Sequence, residues 1–350
     1  MSTTNLVPSI GDPAETDQKI SNLRDFLSGV AASSVLDSGL SQSAQPIEQS
    51  ADAIFELANQ CLSSAFVTWS HRMTLEYVDR FGSEWLRENR LPELLLGTRI
   101  GSTALATALA DRSGKELLPI TFARVGDDYV IDGVVPWASN LYQDTLVVFA
   151  AREPQTGERV LFATELSFDG ISVKPAEGLL ALNATSSGTI RFAGLKLSAD
   201  YVLTNDVNNF FSRMRPRFLL LQSAFCLGLS QASLDSALAS ESNKPFTEDL
   251  AQLESELTQA KQTWRELLSV QNDYASLPGQ QDPLPYLKLR LQAALLAQSI
   301  TRIELASVGG RGYFVTHPTS RRVRESLFLS IQAPTEGSLR WEISQLQSKA

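Results

Sequence analysis

The chain has 350 residues, 43% hydrophobic and 20% charged, with a formal net charge of −9 and an isoelectric point near 4.9. That is ordinary globular composition, long enough for two or three domains with sizeable cores, and its acidic balance argues against a nucleic-acid partner. Two isolated cysteines, Cys61 and Cys226, and two histidines, His71 and His317, make neither a disulfide framework nor a metal-ligand cluster. The N-terminus lacks a basic-then-apolar signal pattern, and the most apolar run, 218–229, is too short and polar to span a bilayer. A soluble, cytoplasmic protein without membrane insertion is the expectation.

Residues 1–15, with Pro8 and Pro13, read as a loose arm. Helical periodicity covers 16–30 and 47–62, with a Ser/Gly/Gln/Pro-rich connector at 33–46 between them, and resumes over 63–90. In that last run Phe66, Trp69, Met73 and Tyr77 fall at three- and four-residue spacing, and His71 is expected on the helix face near the core. Phe81-Gly82-Ser83 breaks the helix, Ser83 caps a short one, and Leu91-Pro92 ends it. At Leu118 the period changes. Short β-branched and aromatic segments at 118–125, 128–133, 145–152, 159–166, 171–175 and 189–197 are separated by turn residues, with hairpin signals at 126–128 and 154–157. They predict a small antiparallel barrel or sandwich between helical regions.

After Tyr201 the helical period returns at 210–240, 246–275 and 287–308, with Pro278, Gly279, Pro283 and Pro285 in one loop, and a fourth helix starts at Arg321. Four antiparallel helices with short connections form a bundle. The fold class expected is α+β multidomain: an N-terminal helical domain at 1–98, a middle antiparallel β-barrel at 99–205 and a C-terminal four-helix bundle at 206–350. Gly309, Gly310 and Gly312 stop the third bundle helix and permit close backbone approach to a ligand. Pro318 suits the first turn of the next helix, Arg321, Arg322 and Arg324 invite an anion, and Glu336-Gly337 reads as a carboxylate on a turn.

This stretch resembles the acyl-CoA dehydrogenase family, which carries Gly-Gly-x-Gly-Tyr/Phe, a proline six residues on, an Arg-Asp pair and a later Glu-Gly-Thr. Gly309, Gly310, Gly312, Tyr313, Pro318, Arg324, Glu325, Glu336, Gly337 and Ser338 occupy those places, with Glu for Asp and Ser for Thr. In the β region, Gly126-Asp-Asp-Tyr-Val-Ile-Asp-Gly133 and Trp137-Ala-Ser-Asn140 are similar to the family's run ending Trp-Ile-Thr/Ser-Asn. The order helical, β, four-helix bundle matches that family's three parts over nearly the whole chain. The resemblance implies FAD, with Trp137 packed on the isoalloxazine ring, the Ser139 hydroxyl near its N5 as a donor, and Gly309, Gly310 and Ser338 also at the cofactor. It implies an acyl-CoA or related acyl thioester contacted by Arg324 and Tyr313, with Glu336 as the base that takes the α-proton. Ile331, Ala333 and Pro334 offer that carboxylate an apolar setting, which would raise its pKa toward neutrality. It further implies a homodimer or homotetramer and a redox partner, either an electron-transfer flavoprotein or a flavin reductase. The apolar surface carried by Leu287, Leu291, Leu295 and Leu296 is expected to put the subunit interface on the third and fourth bundle helices. No metal is implied.

The chain also departs from the family pattern. The usual Thr-Glu-Pro-x-x-Gly-Ser has no counterpart after Ile100–Leu105, where Thr107, Arg112 and Ser113 are its partial substitutes. The Arg-x-x-Phe-Gly motif is replaced by 240–246, with Lys244 as the nearby cation, and the Gln before Gly-Gly is missing from 306–308. Three readings follow: FAD-dependent α,β-dehydrogenation, a reduced-flavin-dependent monooxygenase, and a scaffold that has lost the flavin. The lost FAD contacts favour the second, and the retained Glu-Gly-Ser favours the first.

Overall fold

The computed structural model describes residues 11–19, 22–114, 116–272 and 281–348. The expected arm before residue 11 and the Pro278-Gly279 part of the loop lie outside the described residues. The N-terminal helices are α1 (Pro13–Asp17), α2 (Leu23–Ala32), α3 (Glu48–Gln60), α4 (Leu62–Phe81), α5 (Glu84–Asn89) and α6 (Leu91–Leu95). Cys61, extended at φ −157°, separates α3 from α4. Ser83 caps α5 by accepting from the Leu86 N–H at 3.1 Å. Leu91-Pro92 opens α6 rather than ending a helix, because proline at N2 costs no intrahelical hydrogen bond.

Next come β1 (Ile100–Thr103), α7 (Ala106–Arg112), β2 (Thr121–Val125), β3 (Asp128–Ala138), β4 (Thr145–Arg152), β5 (Arg159–Glu165), β6 (Ile171–Pro175), β7 (Gly188–Leu197) and β8 (Val202–Thr204). The strands form one sheet in the order β6-β7-β3-β2-β4-β5-β8, with β1 beside β4. Most pairs are antiparallel as expected. The sheet is nevertheless mixed, since β1 runs parallel to β4 with Ile100 opposite Thr145, and β2 meets the other end of β4 in parallel at Arg152. Strand β1, between α6 and α7, is only four residues long, too few for periodicity to register. Strand β4 is buried on both faces from Thr145 to Ala151, whereas β7 alternates.

The C-terminal helices are α8 (Val207–Leu238), α9 (Thr247–Val270), α10 (Leu284–Val308), α11 (Pro318–Ile331) and α12 (Glu336–Gln347). Helix α8 is buried on every side from Pro216 to Ser230 and packs most extensively on α10 and α3. Burial all round suits a helix at the centre of a core. Helix α9 buries a seven-residue stripe of Leu250, Leu257 and Trp264. Leu287 and Leu296 of α10 are also buried within this chain, so those leucines fill its own core. Glu336 is the first residue of a twelve-residue helix, not a turn residue; Thr335 caps it by accepting from the Ser338 N–H at 3.2 Å. Among the described residues no helix is long and apolar enough to cross a membrane.

Candidate active site

Helix α4 presents Phe66, Trp69 and Ser70 on one face, and α11 presents Arg324, Leu327, Phe328 and Ile331 at i, i+3, i+4 and i+7. Between these stripes, the end of β3 and the 179–187 segment lies a cavity of about 480 Å³, within the usual size range of small-molecule sites. Trp137, Leu180, Leu327 and Ile331 all open onto it, and they are 41%, 62%, 50% and 71% exposed. Four large apolar side chains left uncovered around one opening mark a ligand site rather than scattered surface residues.

The β3 end is held by buried, neutral hydrogen bonds. Asn140, at φ +61°, donates from Nδ2 to Val67 O (2.9 Å) and Gly101 O (3.0 Å), tying the strand end to α4 and β1. The Ser102 hydroxyl donates to Ser139 O at 2.6 Å, and the Asn140 N–H donates to Thr185 O at 2.9 Å. Behind them, His71 Nδ1 accepts from the Gly101 N–H at 2.9 Å, so its Nε2–H donates to Leu94 O at 3.1 Å. Burial pushes the His71 pKa down to about 4, against the opposing pull of the Leu94 carbonyl. Gly101 is required here, because a Cβ would sit 2.5 Å from Thr74 Cβ. His71 is therefore a core residue that seats β1.

Aromatic side chains form the inner wall. Phe66 stacks on Trp69 at 5.6 Å and meets Phe328 edge-on at 5.0 Å, and Trp69 meets Phe218 at 5.0 Å. The buried indole N–H of Trp69 has no acceptor among the described residues. At the far end, fully buried Arg290 donates to Leu329 O (3.2 Å), Gln332 Oε1 (2.8 Å) and Gln222 Oε1 (3.1 Å). Gln222 in turn donates to Ala333 O at 2.9 Å. A cation against the last carbonyls of α11 complements the helix dipole and fixes the wall at Gln332 and Ala333.

Of the residues singled out in the sequence, Trp137, Ser139 and Arg324 line this cavity. Gly309, Gly310, Tyr313, Glu336 and Ser338 do not. Gly309 is the C-cap of α10 at φ +72°, and Tyr313 is 81% exposed. The arginines expected to hold an anion are engaged within the chain: Arg321 with Glu325, Arg322 with Glu304, and Arg324 with Asp17 of α1.

The apolar setting expected for Glu336 is also corrected. Its carboxylate accepts from Arg340 Nε and Ser330 Oγ, each at 2.9 Å, and these bonds hold its pKa below the usual carboxylate range. The described residues lining the cavity include no Asp, Glu, Lys or His. Sequence reasoning missed Phe66 and Trp69 as wall residues, along with Thr185, Ser187 and the Arg290 network. Only the α4 aromatics carried a signal, an apolar helical stripe that reads equally well as core.

No family model matches the chain. It is 24% identical over 304 residues to the short-chain specific acyl-CoA dehydrogenase of Clostridium acetobutylicum, covering 81% of this chain and 78% of that relative. Among solved structures, butyryl-CoA dehydrogenase from Megasphaera elsdenii superposes with a TM-score of 0.85 at 16% identity, over 98% of this chain and 94% of that one. A glutaryl-CoA dehydrogenase from Mycobacterium smegmatis in complex with FADH2 does so at 0.84 and 15% identity, over 100% and 97%. Helices, a mixed sheet and a helical bundle around one cavity are thus the acyl-CoA dehydrogenase fold. The sequence relatives point the same way: over four fifths of its length the chain is similar to proteins named as acyl-CoA dehydrogenases.

Proposed function

We propose that this protein is a flavin-dependent oxidoreductase that dehydrogenates the α,β-carbons of an acyl-CoA or related acyl thioester. The observation that carries this reading is the uncovered apolar opening around Trp137, with hydroxyls at its inner edge. Those residues fit a flavin: a flat indole for one face of the ring, an orphaned Trp69 N–H on the wall, and a cavity large enough for a small molecule. FAD, held by a relative of the same fold in its reduced form, supplies the two-electron acceptor when bound.

With FAD bound, Trp137 would cover the ring and exclude water, Ser139 would meet its edge, and Phe66 and Phe328 would accommodate the acyl chain. Arg324 stands at the cavity edge, where it orients the thioester once its Asp17 partner yields. Glu336, three residues beyond Ala333 in the chain, is the carboxylate that takes the α-proton after exchanging its Arg340 bond. Gly309, Gly310 and Tyr313, exposed on this single chain, meet the cofactor and substrate of a second copy, in a homodimer or homotetramer. The exposed run Tyr313, Phe314 and Val315 supports such an interface. Electrons then pass to a separate protein such as an electron-transfer flavoprotein.

Titrating FAD into the full-length protein while following Trp fluorescence tests the reading. Saturable quenching is expected, weakened about tenfold or more in Trp137→Ala, since an aromatic contact contributes about 0.5–1.5 kcal/mol beyond the area it buries. Anaerobic addition of acyl thioesters should then bleach the bound flavin. Absence of bleaching with every chain length, together with O₂ consumption on added reduced flavin, would replace this reading by the monooxygenase one.

A further inference from the structure

Three hydroxyls at the inner edge of the cavity form a chain whose proton order is determined by its last acceptor. Ser139 Oγ lies 2.7 Å from Ser187 Oγ, and Ser187 Oγ lies 2.7 Å from Thr185 Oγ1. Thr185 Oγ1 in turn lies 2.7 Å from the Leu182 carbonyl oxygen. Ser139, Ser187 and Thr185 are all more than nine-tenths buried, and all three line the cavity. Each hydroxyl owns one proton, and a carbonyl owns none. Thr185 must therefore donate to Leu182. Ser187, whose contact with Thr185 would otherwise set two lone pairs against each other, must donate to Thr185. Ser139 must then donate to Ser187. Any other arrangement leaves one 2.7 Å oxygen–oxygen contact without a proton in it.

We infer that Ser139 presents a hydrogen-bond acceptor to the cavity, not the donor expected from the sequence, so the site selects a ligand edge that carries N–H or O–H. This rests on the flavin reading above and deepens it. N5 of an isoalloxazine carries a hydrogen only when the ring is reduced; in the oxidised ring it is a bare acceptor. The Ser139–Ser187–Thr185 order thus favours reduced over oxidised flavin. To serve oxidised N5, Ser139 would have to turn its proton outward and break one buried hydrogen bond. The cost of that bond corresponds to about a five- to tenfold bias in affinity. In a dehydrogenase this bias raises the flavin potential, tenfold being about 30 mV for a two-electron couple, and makes the bound ring a stronger oxidant.

The test is the ratio of dissociation constants for oxidised and dithionite-reduced FAD, measured anaerobically on the full-length protein, with FMN as a second probe. Relative to Ser139→Ala, which removes the group, the wild type should favour the reduced form by about five- to tenfold. Thr185→Val, isosteric and without a proton acceptor, should reverse the chain: Ser187 then donates to Ser139, whose own proton turns into the cavity. Its ratio should fall on the other side of Ser139→Ala, toward oxidised flavin. Ser187→Ala should shift in the same direction and serves if Thr185→Val does not fold. Binding of both flavin forms with Thr185→Val and Ser187→Ala indistinguishable from wild type, or with wild type no more reduced-selective than Ser139→Ala, overturns the proton order alone. Failure of the wild type to bind either form overturns the flavin reading, and this inference with it.

Discussion

Two stretches of this chain carry its resemblance to the acyl-CoA dehydrogenases, and the fold treats them differently. The first, Trp137–Asn140, ends a strand and enters the cavity wall, fastened by buried neutral bonds: Asn140 to Val67 and Gly101, Ser102 to Ser139, His71 behind Gly101. The second, 309–338, reaches the cavity through α11 and the two residues after it, Gln332 and Ala333, and its charged groups are committed to ion pairs, of which Glu336–Arg340 is 29% and 57% exposed. Buried neutral bonds are costly to leave unmade and hold one geometry, whereas half-exposed ion pairs are weak and exchange readily. The first stretch is therefore a rigid platform. In the second, Glu336 sits in such an exposed pair and can be redirected when a ligand or a second copy arrives, whereas the Arg321–Glu325, Arg322–Glu304 and Arg324–Asp17 pairs are largely buried.

The largest effect that would break this contrast belongs to Glu336. If the second stretch supplies a group on demand, Glu336→Gln should bind flavin as wild type does while thioester-driven bleaching slows by about 10²–10⁴-fold. Stopped-flow absorbance reads both quantities, and unchanged bleaching would assign the α-proton elsewhere. On the platform, Asn140→Ala strips two buried carbonyls of their donor and places alanine at positive φ. It should destabilise the protein by about 2–4 kcal/mol and weaken flavin binding with it. A denaturant midpoint equal to wild type would show that the platform is not held as described.

His71 sharpens the contrast through pH. The folded protein keeps it neutral down to about 4, while the unfolded chain protonates it near 6.5. Its share of stability is thus complete above pH 6.5 and is lost as pH falls from 6.5 to about 4, up to about 3 kcal/mol in all. Urea midpoints should drop across that window in wild type and less in His71→Gln; a flat wild-type profile would contradict the neutral, buried ring. The smallest effect is expected at Arg340→Gln, below about 0.5 kcal/mol for an exposed i,i+4 pair. The same change should move the carboxyl of Glu336 back up toward its ordinary range, observable by carbon-13 NMR of the labelled side chain.

The helical, β and helical order of the chain was legible from the change of hydrophobic period at Leu118 and its return after Tyr201, because period follows directly from backbone geometry. Trp137 and Ser139 were legible as a site only through the likeness of 126–140 to the family's run ending Trp-Ile-Thr/Ser-Asn. The short strand β1 and the helix after Pro334 escaped, being too brief or too polar for periodicity to register. What the arginines at 321, 322 and 324 would meet could not be read locally, since Glu304 lies 18 residues from Arg322 in the chain and Asp17 lies 307 residues from Arg324. Nor could the direction of the Ser139 proton, which depends on a carbonyl at Leu182 brought near by the left-handed turn at that residue. Alternation and helical spacing are properties of neighbours along the chain. Charge pairing, orphaned donors and proton order belong to neighbours in space, and only the packed tertiary structure decides those.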